Sequence, residues 1–395
     1  MTFDNKSGNI YIDKKLSKQK GTSIMEMEKT AFHTYPVVFA VENDYHISVC
    51  VKEETLMWVR VNGVEYYDHS NGILRSASFL HKIIVPMSEL DRAESYTVCY
   101  RRVIDRKPYY SETGEIEEYT FDFKPYKSGD INIYCISDAH YRTTGPVKAA
   151  EYFGKTPDLL ILNGDIPDHS GVVENFKTIY EIGGEISKGN IPVIFSRGNH
   201  DTRGICAEQL EHYTPTSFGK SYYSVKLGEL WCLVLDCGED KRDGSIEYGN
   251  TICCHSMRIE QTKFIENIIK NADTEYNAEN VKKKMVVCHI PFTMVDKEPF
   301  DIEQELYAKW TELVAGNINP DFYLFGHKHE SRVVMPGDED DFHNQQRPVI
   351  LAGVPIGDIA EQKFEGCAVS YKGNKVSVAH TNQDKEVICE NHWEI

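Results

Sequence analysis

The sequence predicts an α/β (α+β) domain of packed sheets flanked by helices, preceded by a small all-β sandwich. Three observations carry this. Between about residues 35 and 125, short apolar runs alternate with polar residues at period two. From 128 onward the rhythm becomes strand, loop, helix, with continuous apolar runs of the length of buried strands. The chain has 395 residues with an ordinary globular composition, 41% hydrophobic and 26% charged, a length that fits two units.

The first 27 residues are polar and aperiodic and read as a loosely held leader. The runs 35–42, 45–52, 57–67, 81–86, 95–103 and 117–124, rich in Val, Ile, Tyr and Phe, give the β-sandwich a span of 28–127, with no competing helical pattern. Asn62-Gly63 and Asn71-Gly72 are its turn signals. Leu90, Tyr96, Val98 and Tyr100 form L-x5-Y-x-V-x-Y, which resembles the tyrosine corner of fibronectin type III domains. That resemblance implies a Tyr hydroxyl tying a loop to the start of a strand while the alternating residues face the core. Packing against the neighbouring domain is the expected role of this unit, ahead of carbohydrate or peptide binding.

The second unit, 128–395, carries apolar runs at 131–136, 158–162, 191–195, 231–235, 285–288 and 321–325, with helical patterns at 171–188, 256–271 and 303–315. After 348 the texture returns to β: PVILAGV, a hairpin turning near Gly373-Asn374, then KEVICENHW. The acidic stretch Asp338–Asp341 reads as a solvated loop, and there is no internal repeat or low-complexity tract.

With 43 Lys+Arg against 61 Asp+Glu the formal charge is −18, which repels a polyphosphate backbone and argues against nucleic acid as the main partner. No stretch approaches the ~20 apolar residues of a membrane helix, and the N-terminus has no apolar signal core, so a soluble, cytoplasmic protein is expected. The 11 cysteines are odd in number, scattered and free of CxxC pairs, fitting neither a disulfide framework nor a zinc-thiolate site. Most sit in apolar runs as small core residues, and adjacent Cys253 and Cys254 receive no role.

The chemistry lies at the C-terminal ends of the buried strands. Asp138-Ala139-His140, Gly164-Asp165, Gly198-Asn199-His200-Asp201, His289, and Gly326-His327-Lys328-His329 each end one apolar run. Ligand sites in α/β sheets form at that edge. Two Asp, one Asn and four ligand-type His there concentrate charge and lone pairs that metal reconciles. The N/O donor set suits Zn, Mn, Fe or Ni and disfavours Cu(I). Seven side chains exceed the needs of one tetrahedral ion, so two divalent ions sharing a carboxylate is the economical reading.

D-x-H, G-D, G-N-H, a lone His after a strand and G-H-x-H, in this order, resemble the calcineurin-like metallophosphoesterases over about 131–330, and over the fold to about 382. The resemblance implies a four-layer metallophosphoesterase-type β-sandwich flanked by helices. It implies Asp138, His140 and His329 on a first metal, Asn199, His289 and His327 on a second, Asp165 bridging, and His200 unligated beside the substrate. The activity implied is hydrolysis of a small phosphorylated substrate by a metal-bridging hydroxide with His200 as general acid. Phosphomonoesters come ahead of phosphodiesters, and a non-catalytic scaffold of the same fold is the rival from another class. Asp168, in GDIPD, is expected to orient His200, with Asp201 as the rival partner, and Arg203 to contact phosphate. His169, His212 and His255 have no motif support, though His255 falls in a loop long enough to reach the site.

A fibronectin-like unit ahead of this domain is similar to the layout of purple acid phosphatases. Those carry a Tyr ligand three residues after the bridging Asp and lack the first-motif His, whereas this chain has Asp168 and His140 there. No purple iron–phenolate centre is therefore expected. The protein-phosphatase pattern is also only partly met, with His169 in place of Arg and Asp201 in place of Glu. Metal identity among Mn, Zn and Fe stays open, and substrate choice falls to loops 237–256 and 293–303 and to the groove between the two units.

Overall fold

The computed structural model describes residues 27–395 apart from Asn71. The expected leader thus lies outside the described residues except for Met27, as does the Asn71 of the second turn signal.

The apolar runs of the second unit are strands within two residues of their expected places. Ile131–Ile136, Leu159–Asn163 and Pro192–Ser196 pair in parallel, and the C-terminal strands Lys363–Lys372, Lys375–Asn382 and Val387–Glu394 extend that sheet antiparallel. Leu230–Val234, Lys283–Val287 and Phe322–Phe325 pair in parallel within a second, six-stranded sheet.

The layering follows from which faces are apolar. Helix Lys177–Ser187 lays Ile179, Ile182 and Ile186 against Leu160, Leu162 and Val193 on the outer face of the first sheet. Helices Cys254–Lys270 and Gln304–Leu313 cover the second sheet through Ile265, Ile268 and Trp310, which pack with Leu233 and Tyr323. Between the sheets, Ile133, Ile161 and Ile194 share a core with Met285, Val287 and Leu324. Each such buried side chain contributes about 1.5–3 kcal/mol of transfer free energy. The result is helix, sheet, sheet, helix, with every parallel strand ending on one edge.

The N-terminal residues build an all-β unit with one exception. Met87–Ala93 is a helix, started after Pro86 and closed by Glu94 in the left-handed conformation. Only Met87 and Leu90 are buried on it, too few apolar positions for a helical period to show in the sequence. The runs 45–52 and 57–67 are also not separate strands. Asp44–Val61 is one strand of 18 residues, irregular in register between Cys50 and Thr55, and Val64–Tyr67 folds back on it after Asn62-Gly63.

This unit is continuous with the larger sheet. Strand Val37–Val41 pairs in parallel with Pro192–Ser196 on one side and antiparallel with Asp44–Val61 on the other, so 14 strands form one sheet. One core accordingly joins Tyr45, Val49, Val98 and Tyr100 to Ile133 and Leu159. Leu90, Tyr96, Val98 and Tyr100 all face that core, as the alternation requires. The Tyr96 hydroxyl, however, donates to the Gly189 carbonyl at 2.9 Å, in the loop between helix Lys177–Ser187 and strand Pro192–Ser196. The expected corner within one unit is therefore a tie between two. Gly189 has a φ of +73°, and a Cβ on it would lie 2.7 Å from the Tyr96 oxygen, so only glycine fits there.

Candidate metal centre

Because the strands of each sheet run in parallel, the residues at their C-terminal ends meet across the gap between the sheets. Ser137–His140, Gly164-Asp165 and Gly198–His200 come from the first sheet; His289, His327 and His329 come from the second. Hydrogen bonds to backbone and side chain lock the edges together. The Asn163 carbonyl is 2.7 Å from His289 Nδ1, the Asn163 side-chain amide donates to the Cys288 carbonyl at 3.2 Å, and the His327 N–H donates to Asp138 Oδ2 at 2.9 Å.

The turns that deliver these side chains are sharp. Asp138, His140, Asp165, His327 and His329 all have φ between 42° and 67°, in the left-handed region. Asp and His tolerate it better than most residues, yet each such residue still costs on the order of 1–2 kcal/mol, a strain characteristic of functional sites. Gly198 is required by close approach: a Cβ there would stand 2.2 Å from Asp165 Oδ1.

Three triads have ligand atoms within 4.8 Å of one another: Asp138, His140 and His329; Asp165, His289 and His327; and His140, Asp168 and His200, which shares His140 with the first. In the first, His329 Nε2 is 3.2 Å from Asp138 Oδ1 and 3.3 Å from His140 Nε2. In the second, His289 Nε2 is 3.0 Å from Asp165 Oδ2, and it also lies 3.7 Å from Asp138 Oδ1, which links the two. Asn199 joins the second triad, with its Oδ1 3.1 Å from His327 Nδ1.

The donors fit a pair of cations. Among the described residues, buried Asp138 Oδ1 and His289 Nε2 meet only charged neighbours, His329 Nε2 at 3.2 Å and Asp165 Oδ2 at 3.0 Å, without a well-aligned hydrogen bond, and an arrangement so incompletely satisfied is costly unless something else binds them. Charge points the same way. Burial opposes charging of His289, but Asp165 and Asp138 overcome it and raise its pKa to about 10. Burial likewise opposes ionisation of Asp165, and the imidazoles led by His289 hold its carboxyl well below the usual range. A proton on His289 thus supplies positive charge that bound cations would supply instead. His327, lowered to about 4 by burial and then by His289, stays neutral as a ligand must.

Around this cluster, Asp168 is shared. Its Oδ1 is 2.9 Å from His140 Nδ1 and 3.3 Å from His200 Nδ1. His200 is fixed at both ring nitrogens. Arg203 Nη1 stands 2.9 Å from His200 Nε2 and can only donate, so Nε2 accepts and Nδ1–H donates to the Asp168 carbonyl at 2.7 Å. Asp201 is turned to other work: its Oδ2 accepts from the N–H groups of Gly198 at 2.7 Å and Asp165 at 3.3 Å, closing the loop. His255 reaches Glu303 at 2.8 Å, on the rim of a separate cavity of about 790 Å³ also lined by Arg242 and Lys309. His169 accepts from the Gly171 N–H at 3.0 Å.

Three features escaped the sequence. Ser137 Oγ lies 2.6 Å from Asp138 Oδ2 and 2.7 Å from the Asn163 carbonyl, orienting the carboxylate. Lys328 pairs with Asp296 and so ties the 293–303 loop to the His327–His329 turn. Glu239 and Asp240, in a loop with no recognisable pattern, both bind Arg203. Only the position of Ser137, next to Asp138, offered a signal.

The calcineurin-like phosphoesterase family model matches residues 131–331, just over half of the chain. Among solved structures, the chain is similar to the purple acid phosphatase PPD1 from yellow lupin (Lupinus luteus) seeds. The TM-score is 0.61 at 12% identity, covering 91% of this chain and 74% of that one. PhoD gives 0.52 at 9% identity, covering 92% and 91%. No curated protein matches in sequence. With the family pattern spread over strand ends that the fold brings to one edge, the chain belongs to the calcineurin-like phosphoesterase family and is a metal-dependent phosphoesterase.

Proposed function

We propose that this chain hydrolyses phosphomonoesters at a two-metal centre. Asp138, His140 and His329 would hold one ion, Asn199, His289 and His327 the other, and Asp165 both. The observation that carries this reading is the approach of His289 Nε2 to both Asp165 and Asp138 while, among the described residues, neither it nor Asp138 Oδ1 makes a well-aligned hydrogen bond. When bound, Mn, Zn or Fe ions in such a pair polarise the phosphoryl group and acidify water.

The protein's own groups do the rest. Asp168 fixes the His140 and His200 rings through their Nδ1 atoms. For His200 to act as general acid its ring must first take a second proton at Nε2, which displaces the Arg203 Nη1–H now donated there, and that proton would then pass to the leaving alkoxide. Arg203 has five N–H groups. Glu239 and Asp240 occupy Nε–H and both Nη2–H, and His200 takes one Nη1–H, which leaves a second Nη1–H for a phosphoryl oxygen. Loops 237–256 and 293–303 meet beside His327 at Asp240, Met294, Asp296 and Phe300, and choice among leaving groups would fall to these loops.

A phosphate-release screen of Mn-, Zn- and Fe-reconstituted protein tests the reading, over monoesters, nucleotides, cyclic nucleotides and phospholipid head groups. Turnover concentrated on monoesters is the expected result. Turnover confined to diesters would move the assignment to a phosphodiesterase, and none on any ester would remove it.

A further inference from the structure

We propose that Glu239 is the positioning residue for phosphate recognition: it holds the Arg203 guanidinium so that Nη1 stands beside His200 at the metal centre. This rests on the phosphoesterase reading above. Glu239 is 1% exposed, and both its oxygens engage Arg203, with Nε at 3.1 and 3.2 Å and Nη2 at 3.0 Å. Such a fork fixes the plane of the guanidinium as well as its place, so the direction of the remaining Nη1 nitrogen follows from the Glu239 carboxylate.

The clamp is itself held. Thr202 Oγ1 donates to Glu239 at 3.1 Å, and the Tyr248 hydroxyl lies between Glu239 Oε2 at 2.9 Å and Asp240 Oδ1 at 2.8 Å. The Glu239 backbone is anchored too: buried Arg258 donates to its carbonyl at 2.5 Å, and its N–H points to Cys254 Sγ at 3.4 Å. Asp240 accepts from Arg203 Nη2 at 3.2 Å and pairs with Lys241 at 3.1 Å. Two cations and two carboxylates cancel, so the cluster adds direction rather than net charge. Burial this complete, for a carboxylate far along a loop from any metal ligand, is what a fixed aiming device requires.

The test uses metal-loaded protein and inorganic phosphate as the probe, measured by calorimetry, beside KM and kcat on a phosphomonoester. Glu239→Gln should weaken phosphate binding and raise KM about tenfold while kcat changes less than threefold and metal content stays at the wild-type value. Arg203→Ala should weaken phosphate binding at least as much and, because Arg203 also donates to His200 Nε2, lower kcat as well, and the double variant should bind phosphate no worse than Arg203→Ala alone, since Glu239 acts through Arg203. Tyr248→Phe, the milder change, should shift both readouts two- to threefold in the same direction and keeps the test valid if Glu239→Gln fails to fold. Additive losses in the double variant, or phosphate affinity weakened by Arg203→Ala but untouched by Glu239→Gln and Tyr248→Phe, would overturn the proposal and leave the phosphoesterase reading standing. Absence of both phosphate binding and ester hydrolysis in the wild type would overturn both.

Discussion

Tyr96→Phe asks how large a cooperative unit the N-terminal strands belong to. The substitution keeps the ring, which stacks on Phe121 at 5.3 Å, and deletes only the hydroxyl that binds the Gly189 carbonyl. That carbonyl has no other donor among the described residues, so it is left buried and unpaired, at a loss of about 1–2 kcal/mol. If the whole chain melts together, the unfolding entropy is about 0.8 kcal/mol per degree, and the melting temperature falls by roughly 2 °C. If instead a sandwich of roughly 100 residues melted alone, the same loss would lower its transition by about 7 °C. The shared sheet and core predict the smaller shift in a single calorimetric transition. Two resolved transitions, with only the lower one displaced by several degrees, would refute the idea of one cooperative unit.

Elemental analysis of reloaded protein should approach two ions per chain, and Asp165→Asn should weaken both sites; saturation at one ion with full activity would exclude a shared carboxylate. Iron-loaded protein should lack an intense visible phenolate band, because Asp168 stands three residues after Asp165, and because the Tyr141 and Tyr248 hydroxyls are engaged by the His169 carbonyl and by Glu239 and Asp240. His200→Ala should retain its metals while losing far more activity toward alkyl phosphates than toward p-nitrophenyl phosphate, whose leaving group needs no proton; equal losses would assign His200 to charge stabilisation. His46, buried and lowered from 6.5 to about 4 by desolvation and then by Lys82, resists protonation in the folded state. Its contribution is complete above pH 6.5 and disappears as pH falls toward 4, so wild-type stability should drop by roughly 3 kcal/mol relative to His46→Gln over that window in urea titrations.

The metal-binding edge was legible because each donor sits within four residues of a strand end, so a local pattern reports a nonlocal meeting. Glu239 was not, since its importance comes from a partner 36 residues earlier that no periodicity links to it. The N-terminal strand pairing left a trace that the sandwich reading passed over. Val37–Val41 is apolar as well as buried at every position, like the strands of the metal-binding edge, whereas the runs around it alternate apolar with polar residues even where, as at Tyr45–Val51, every position is buried. A continuous apolar run is the mark of a strand covered on both faces, as in parallel sheets. The Tyr96 motif identified a buried tyrosine correctly, but a hydroxyl's acceptor is a tertiary fact, and here it lay in the other unit.

The parallel pairing of Val38 with Pro192 also sets an order of events during synthesis. Every antiparallel neighbour of the first strands lies within the first 122 residues, so that unit can begin to fold as it emerges. One side of Val37–Val41 nevertheless waits for about 150 further residues, which at ~5–20 residues per second takes roughly 8–30 seconds. During that interval a nascent chain displays an open apolar strand edge, the kind that recruits other chains. Arrival of Pro192–Ser196 closes it, and the same step completes the parallel run of strands whose ends carry Asp138, Asp165 and Asn199. Protection from aggregation and assembly of the first-sheet half of the metal centre are thus a single event on the ribosome.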